Sequence, residues 1–354
     1  MLPNRFCIAP RTWVLATALV ASMAAAGPSL TLASQPVSAG CTDECITEYP
    51  LPRARSRPFQ VVFGPDGAVW FTEKGPQCGS GGGYAIGRMD ADGTMTEYPV
   101  HYPSAIVVGP DSAFWFGEQI ANKIGRLTTD GTLTEFPVPT GGKLAFKDCT
   151  YESSAPGEGY ILFGPDGNLW FTESVGNKIV KMTLDGHMQE FDVPTPDSGP
   201  LTLTLGPDGA LWFVERQASK VGRITLGGDI TEFAMPTSNA YPNAIVAGPD
   251  GALWFTELFG DRVGRMAVSG AITEYPTPGV GPVGIVVGAD NALWIAAYTS
   301  NAIVRMTLDG QITDRYPIPT PNANVIGVTL GPDGSIWFNE DGGNKIGRLE
   351  IPPT

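Results

Sequence analysis

The sequence predicts an all-β fold, a seven-bladed β-propeller with four antiparallel strands per blade. Three observations predict it. A core motif of the form Gly-Pro-Asp-Gly-x-Leu-Trp-Phe begins at Gly64, Gly109, Gly164, Gly206, Gly248, Gly288 and Gly331, at spacings of 45, 55, 42, 42, 40 and 43 residues. Each copy carries one tryptophan: Trp70, Trp115, Trp170, Trp212, Trp254, Trp294 and Trp337. Gly and Pro together exceed a fifth of the chain, a turn density that helical repeats lack.

One unit, residues 243–276, shows how four strands arise. Ala244-Ile245-Val246-Ala247 is a short apolar strand A. Gly248-Pro249-Asp250-Gly251 is a tight turn, in which Pro presets φ and Gly accepts a positive one. Leu253 to Glu257 forms strand B, Val263 to Met266 strand C, and Ile272-Thr273-Glu274-Tyr275-Pro276 strand D. A strand-D motif already stands at Ile46 to Pro50, before any strand A, and the last unit stops after strand C at Ile346 to Glu350. The segment Ile46 to Leu51 is therefore expected to return as the outer strand of the last blade, which covers a sheet edge.

Ahead of the repeats lies an export signal. Arg5 and Arg11 give a positive start, Thr12 to Ala26 an apolar run, and Ala24-Ala25-Ala26 or Val37-Ser38-Ala39 a small-residue cleavage site. Residues 1–39 read as signal peptide and short spacer, and residues 40–354 as one propeller domain. The protein is expected outside the cytoplasm, secreted or periplasmic, with no membrane span and as a monomer. A net charge of −14 argues against nucleic acid as a partner.

The strand order fixes which loops share a face. A–B and C–D turns, with their uniform Asp-Gly signals, form a structural face. The B–C loops and D–A connections form the other, where the chain varies. Residues 74–84 enlarge the first B–C loop and residues 141–159 the D–A connection into blade 3. Each insert holds one cysteine, so a Cys78–Cys149 disulfide is expected, with a local Cys41–Cys45 bridge. A small-molecule or peptide ligand is expected on this face.

Strand B ends in an acid in six units: Glu73, Glu118, Glu173, Glu215, Glu257 and Glu340, with Ala297 then Tyr298 in the sixth blade. Carboxylates at a channel mouth suit a hard cation, Mg2+ or Ca2+. Six copies cannot all ligate one ion, however, and basic residues follow at Lys123, Lys178, Lys220, Arg262 and Lys345. Each glutamate is accordingly expected to pair with a neighbouring basic chain or to cap a turn. Only two histidines exist: His187, after a C–D turn, is expected to be solvated, and His101 lies in a D–A connection, either as an exposed loop residue or as a general base.

The repeat Gly-Pro-Asp-Gly-Ala-Leu-Trp-Phe-Thr-Glu, with Lys-Ile-Gly-Arg and Ile-Thr-Glu-Tyr-Pro, resembles the virginiamycin B lyase (streptogramin lyase) family over residues 46–351. The resemblance implies a seven-bladed propeller and a Mg2+-dependent elimination that opens a cyclic depsipeptide at its ester. Such chemistry takes an α-proton by a base and steadies the resulting enolate with a cation. The family's two site histidines fall on Val283 and Ile326, and its metal-ligating glutamates on Asn324 and Asp341. Two functions follow as expectations. A lyase-like enzyme with a rebuilt site would use His101 or Glu340 as base, Asp341, Asn324 and Glu340 as cation ligands, and Tyr298, Val283 and Ile326 as substrate contacts. The alternative is a non-catalytic binding propeller.

Overall fold

The computed structural model of the chain describes residues 45–75, 83–119, 121–139 and 160–351. The signal segment, its cleavage sites, Cys41, Cys78 and Cys149 lie outside the described residues, so the two disulfide pairings do too; Cys45 is disulfide-bonded, to a partner likewise outside them.

Among the described residues there are twenty-eight strands, β1 to β28 in chain order, and they make seven four-stranded antiparallel sheets. Blade 1 is β2–β5 (58–99), blade 2 β6–β9 (103–137), blade 3 β10–β13 (161–192), blade 4 β14–β17 (200–234), blade 5 β18–β21 (242–276) and blade 6 β22–β25 (282–317). Blade 7 joins β26–β28 (325–349) to β1 (Ile46–Pro50), which pairs with the last strand from Ile46↔Leu349 to Pro50↔Lys345. The expected ring closure is therefore the observed one. In every blade the strands below are called A to D from the centre outward. The A strands of successive blades pack on one another around the axis.

The core motif recurs because its residues bind each other. The tryptophan side chains are buried, and each stacks on an aromatic of strand D, as Trp254 does on Tyr275 at 5.6 Å. The turn aspartate accepts the indole N–H, Trp254 Nε1 to Asp250 Oδ1 at 3.1 Å, while its second oxygen takes the strand-C Arg265 at 2.7 Å. The guanidinium in turn lies over the indole, 5.8 Å from its centre, where a cation meets the ring's negative face. The same Asp–Trp contact holds in blades 1 to 6; in blade 7 Ser335 takes the indole N–H of Trp337. The first glycine of the turn has no room for a side chain, since a Cβ on Gly248 would stand 2.5 Å from Trp254 and 2.6 Å from Asp250.

A second device ties blade to blade. Strand A carries a bulge one residue after its start, for example between Pro242 and Ile245. The amide freed there finds a strand-B hydroxyl, Ala244 N to Thr256 Oγ1 at 3.0 Å, and that hydroxyl donates onward to Val283 O of the next blade at 2.7 Å. Thr172 does the same for Leu201 O at 2.6 Å, and Asn339 closes the ring on Pro58 O at 2.8 Å. Buried backbone polar groups left over by the bulge are thus satisfied by the neighbouring blade.

Candidate functional site

Three rings of side chains converge on the face of B–C loops and D–A connections. The residue just before strand A is left-handed in six blades: Arg57 (φ 51), Tyr102 (φ 46), Gly199 (φ 64), Tyr241 (φ 54), Gly281 (φ 59) and Asn324 (φ 51). Glycine takes that conformation freely, whereas Arg and Tyr hold it at a cost, which concentrates strain at the mouth. The bulge residue is Phe59, Ser104, Leu201, Asn243, Val283 or Ile326. The third ring is the residue after strand B, including Lys74, Arg216, Leu258, Tyr298 and Asp341.

Neighbouring blades make contact through these rings. Asp341 of blade 7 receives Arg57 of blade 1 in a two-pronged pair, Nε at 3.0 Å and Nη2 at 3.2 Å. Arg216 of blade 4 lies 5.0 Å from the ring centre of Tyr241 and donates to Asn243 Oδ1 at 2.5 Å. Tyr241 also stacks on Phe259 at 4.4 Å and 21°, and Phe259 is 71% exposed. At blades 5 to 7 the ring residues Leu258, Val283, Tyr298 and Ile326 give the mouth an apolar and aromatic part, beside the polar Asn243, Asn324 and Asp341. Tyr298 is 44% exposed, Ile326 half-buried and Val283 buried, its carbonyl already taken by Thr256 and Asn243.

The site residues expected from sequence are partly brought together. Asn324, Ile326, Glu340 and Asp341 share blade 7, where Val325 stands opposite Glu340, and Val283 and Tyr298 share blade 6. His101 is exposed between blades 1 and 2, with its backbone amide, not its imidazole, bound to Glu118 at 3.0 Å. Blade 1 separates it from Glu340. His187 is exposed on the opposite face beside Asp185.

The expected pairing of strand-B glutamates with basic chains is not what forms. The strand-C cations turn instead to the strand-D glutamates: Lys123 to Glu135, Lys220 to Glu232, Lys345 to Glu48, and Arg262 toward Glu274 at 3.9 Å. Lys178 reaches Asp192 and Glu190, and in blade 1 Arg53 takes Glu97. Register does not separate them, since Glu257 stands opposite Arg262 and Glu215 opposite Lys220 on one side of the sheet; the strand-D glutamate on the cation's other flank takes it instead. Both carboxyl oxygens of Glu73, Glu173, Glu215, Glu257 and Glu340 meet no hydrogen-bond donor. Burial, with the facing strand-D glutamate adding to it, pushes Glu215 and Glu340 up to about 7 and Glu257 up to about 8.

The residues present do not fit the Mg2+ that the resemblance implies. Asp341 has both oxygens on Arg57, Asn324 is neutral, and Glu340 is fully buried against Glu48. Among the described residues no group of three or more His, Cys, Asp or Glu is placed to hold a metal ion. A separate cavity between blades 2 and 3 is lined by Glu118, Lys123, Val138, Tyr160, Phe171 and Glu173; Val138 and Tyr160 lie close to either end of residues 140–159, which are outside the described residues. Among the described residues no helix is long and apolar enough to cross a membrane.

The fold and these sequences have known counterparts. The virginiamycin B lyase family model matches residues 34–146 and 141–352. No curated protein matches the chain. A solved streptogramin B lyase is 36% identical over 87% of this chain and 97% of its own, with a TM-score of 0.75. Virginiamycin B lyase from Staphylococcus aureus is 37% identical over 87% and 99%, also at 0.75. A catalytically inactive histidine-to-alanine form of that enzyme, solved with quinupristin, gives 36% identity and 0.75. With more than half its length matched by the family model, the chain belongs to the virginiamycin B lyase family.

Proposed function

We propose that this family member is a ligand-binding propeller that has kept the lyase scaffold without the lyase chemistry. The observation that carries the reading is the pair of aliphatic side chains, Val283 and Ile326, at the two positions where the family resemblance calls for imidazoles. Neither accepts a proton, so no base stands at the mouth of blades 6 and 7. The loss of cation ligands agrees with it, because Arg57 occupies Asp341. The apolar and aromatic surface of Phe259, Tyr298, Leu258 and Ile326 favours a small cyclic or aromatic ligand, or a peptide bearing such groups, over an ionic one. A likeness of scaffold carries fold and leaves chemistry to the site.

A rebuilt lyase site would need another base. Glu340 has a carboxyl near neutrality, which suits a general base. It is fully buried, however, and five other blades carry the same glutamate, so the property belongs to the repeat. His101 lies two blades away. Export through residues 1–39 and a monomeric state complete the proposal. The test is incubation of the purified protein with a streptogramin B and Mg2+, followed by mass spectrometry. The expected result is intact cyclic compound, with or without retention on the protein; a linear product formed over many turnovers would overturn the reading.

A further inference from the structure

The strand-B glutamates pose a problem that neither fold nor proposed function resolves. Glu215 and Glu257 are fully buried, and none of their four carboxyl oxygens meets a donor. Each faces a second carboxyl across its own blade. The groups facing Glu215 are Glu232, Lys220 and the Ser198 hydroxyl; those facing Glu257 are Glu274 and Arg262. The neighbouring blade contributes apolar side chains there, Val214 and Val221 beside Phe255. The facing glutamates are already held: Glu232 by Lys220 at 2.9 Å and by Thr195 N and Oγ1 at 2.8 and 2.7 Å, Glu274 by Thr237 N and Oγ1 at 2.9 and 2.6 Å. Two acceptor-only carboxylates face to face satisfy neither, whereas one proton between them satisfies both.

We propose that Glu215 and Glu257 are kept neutral and donate their protons to Glu232 and Glu274, and that losing these protons loosens the B–C loops of blades 4 and 5. The loops follow at once in the chain: Arg216 is next to Glu215 and Leu258 to Glu257, so the Arg216–Tyr241–Phe259 stack moves with them. The proton goes to solvent base, and two like charges are left in an apolar interface. Since burial raises both groups above their ordinary value of 4.5, to about 7 and about 8, the folded state binds more protons than the unfolded one. The stability they contribute is complete below that ordinary value and is lost as pH rises through about 7 to 8. Blade 6, with Ala297 in place of the glutamate, carries no such proton.

The experiment is thermal unfolding of the whole protein in chelator, from about pH 5 to about pH 9. The wild type is expected to lose about 5 °C or more across that range. The doubly substituted Glu215→Gln, Glu257→Gln protein keeps the donor at all pH values and is expected to show a smaller loss. An equal loss in both proteins, or none in the wild type, overturns the proposal. A second readout needs no variant: the infrared band of protonated carboxyls should persist in the folded wild type near pH 6 and fade above about pH 8. Its absence near pH 6 overturns the proposal, as does recovery of the melting temperature at high pH on adding Mg2+ or Ca2+ alone, which would put a cation where the proton is placed.

Discussion

Blades 5 and 6 are neighbours with the same four strands, the same turn aspartate and the same buried tryptophan, yet their inner electrostatics differ at every linked position. Blade 5 carries Glu257, Arg262 and Glu274, with Thr237 holding Glu274 by backbone and hydroxyl. Blade 6 has Ala297 opposite Ala302, Arg315 exposed on strand D, and a bulge in that strand's pairing. Gly279 stands where Thr237 would be, and Thr277, at the position Met235 holds one blade earlier, has a buried hydroxyl with no partner. Beside it, Phe255 lies over Gly264 in blade 5, whereas Ile295 stands opposite Val304 in blade 6. The difference teaches that the strand-B acid goes with the strand-D acid that faces it, since blade 1 keeps Glu73 and Glu97 even with Ala85 at the cation position. A set of that kind holds a blade together.

Inserting one member of the set alone should break blade 6. Ala297→Glu places a carboxyl among Val280, Ala302 and Trp254 with no partner acid. It is expected to cost about 3–5 kcal/mol near pH 8 and less near pH 5, by chemical denaturation at the two pH values. An equal cost at both would mean that the glutamate escapes to solvent. A swap of the packing pair sharpens the same contrast. A Cβ on Gly264 would stand 2.1 Å from the Phe255 ring, so Gly264→Val should cost about 1–3 kcal/mol. Adding Phe255→Ile, which copies blade 6, should recover part of that loss in a double-mutant cycle. The smallest effects have opposite signs. Thr277→Val should stabilise by up to about 1 kcal/mol by removing the orphan hydroxyl, and Thr237→Val should destabilise by about the same amount by stripping a bond from Glu274.

Much of this was legible in the chain. Seven tryptophans in register gave the blade count, and the isolated Ile46-Thr47-Glu48-Tyr49-Pro50 gave the closing strand, because a repeat fixes pairing wherever one strand follows another. The destination of each cation was not. Lys220 follows Glu215 by five residues, and sequence nearness suggested that they pair. They stand directly opposite each other on one side of the blade, yet the cation turns to Glu232 on strand D. A signal did exist: the blade lacking the strand-B acid also has Arg315, not an acid, at the strand-D position that Glu274 holds in blade 5. The Arg57–Asp341 clamp was hidden for a different reason, since 284 residues separate two groups that meet only when the ring closes. Left-handed residues before strand A were equally out of reach, because Tyr102 and Tyr241 each precede a proline, which signals extended backbone.

The claim that the lyase scaffold here carries no metal chemistry rests most directly on Asp341 and its partner. Isothermal titration of Mg2+ into the intact protein, alongside an Arg57→Ala variant, tests it. The account predicts no saturable heat from the wild type, because Asp341 at the mouth of blade 7 is held by a guanidinium. One-to-one Mg2+ binding by the wild type, abolished by Asp341→Ala, would contradict it.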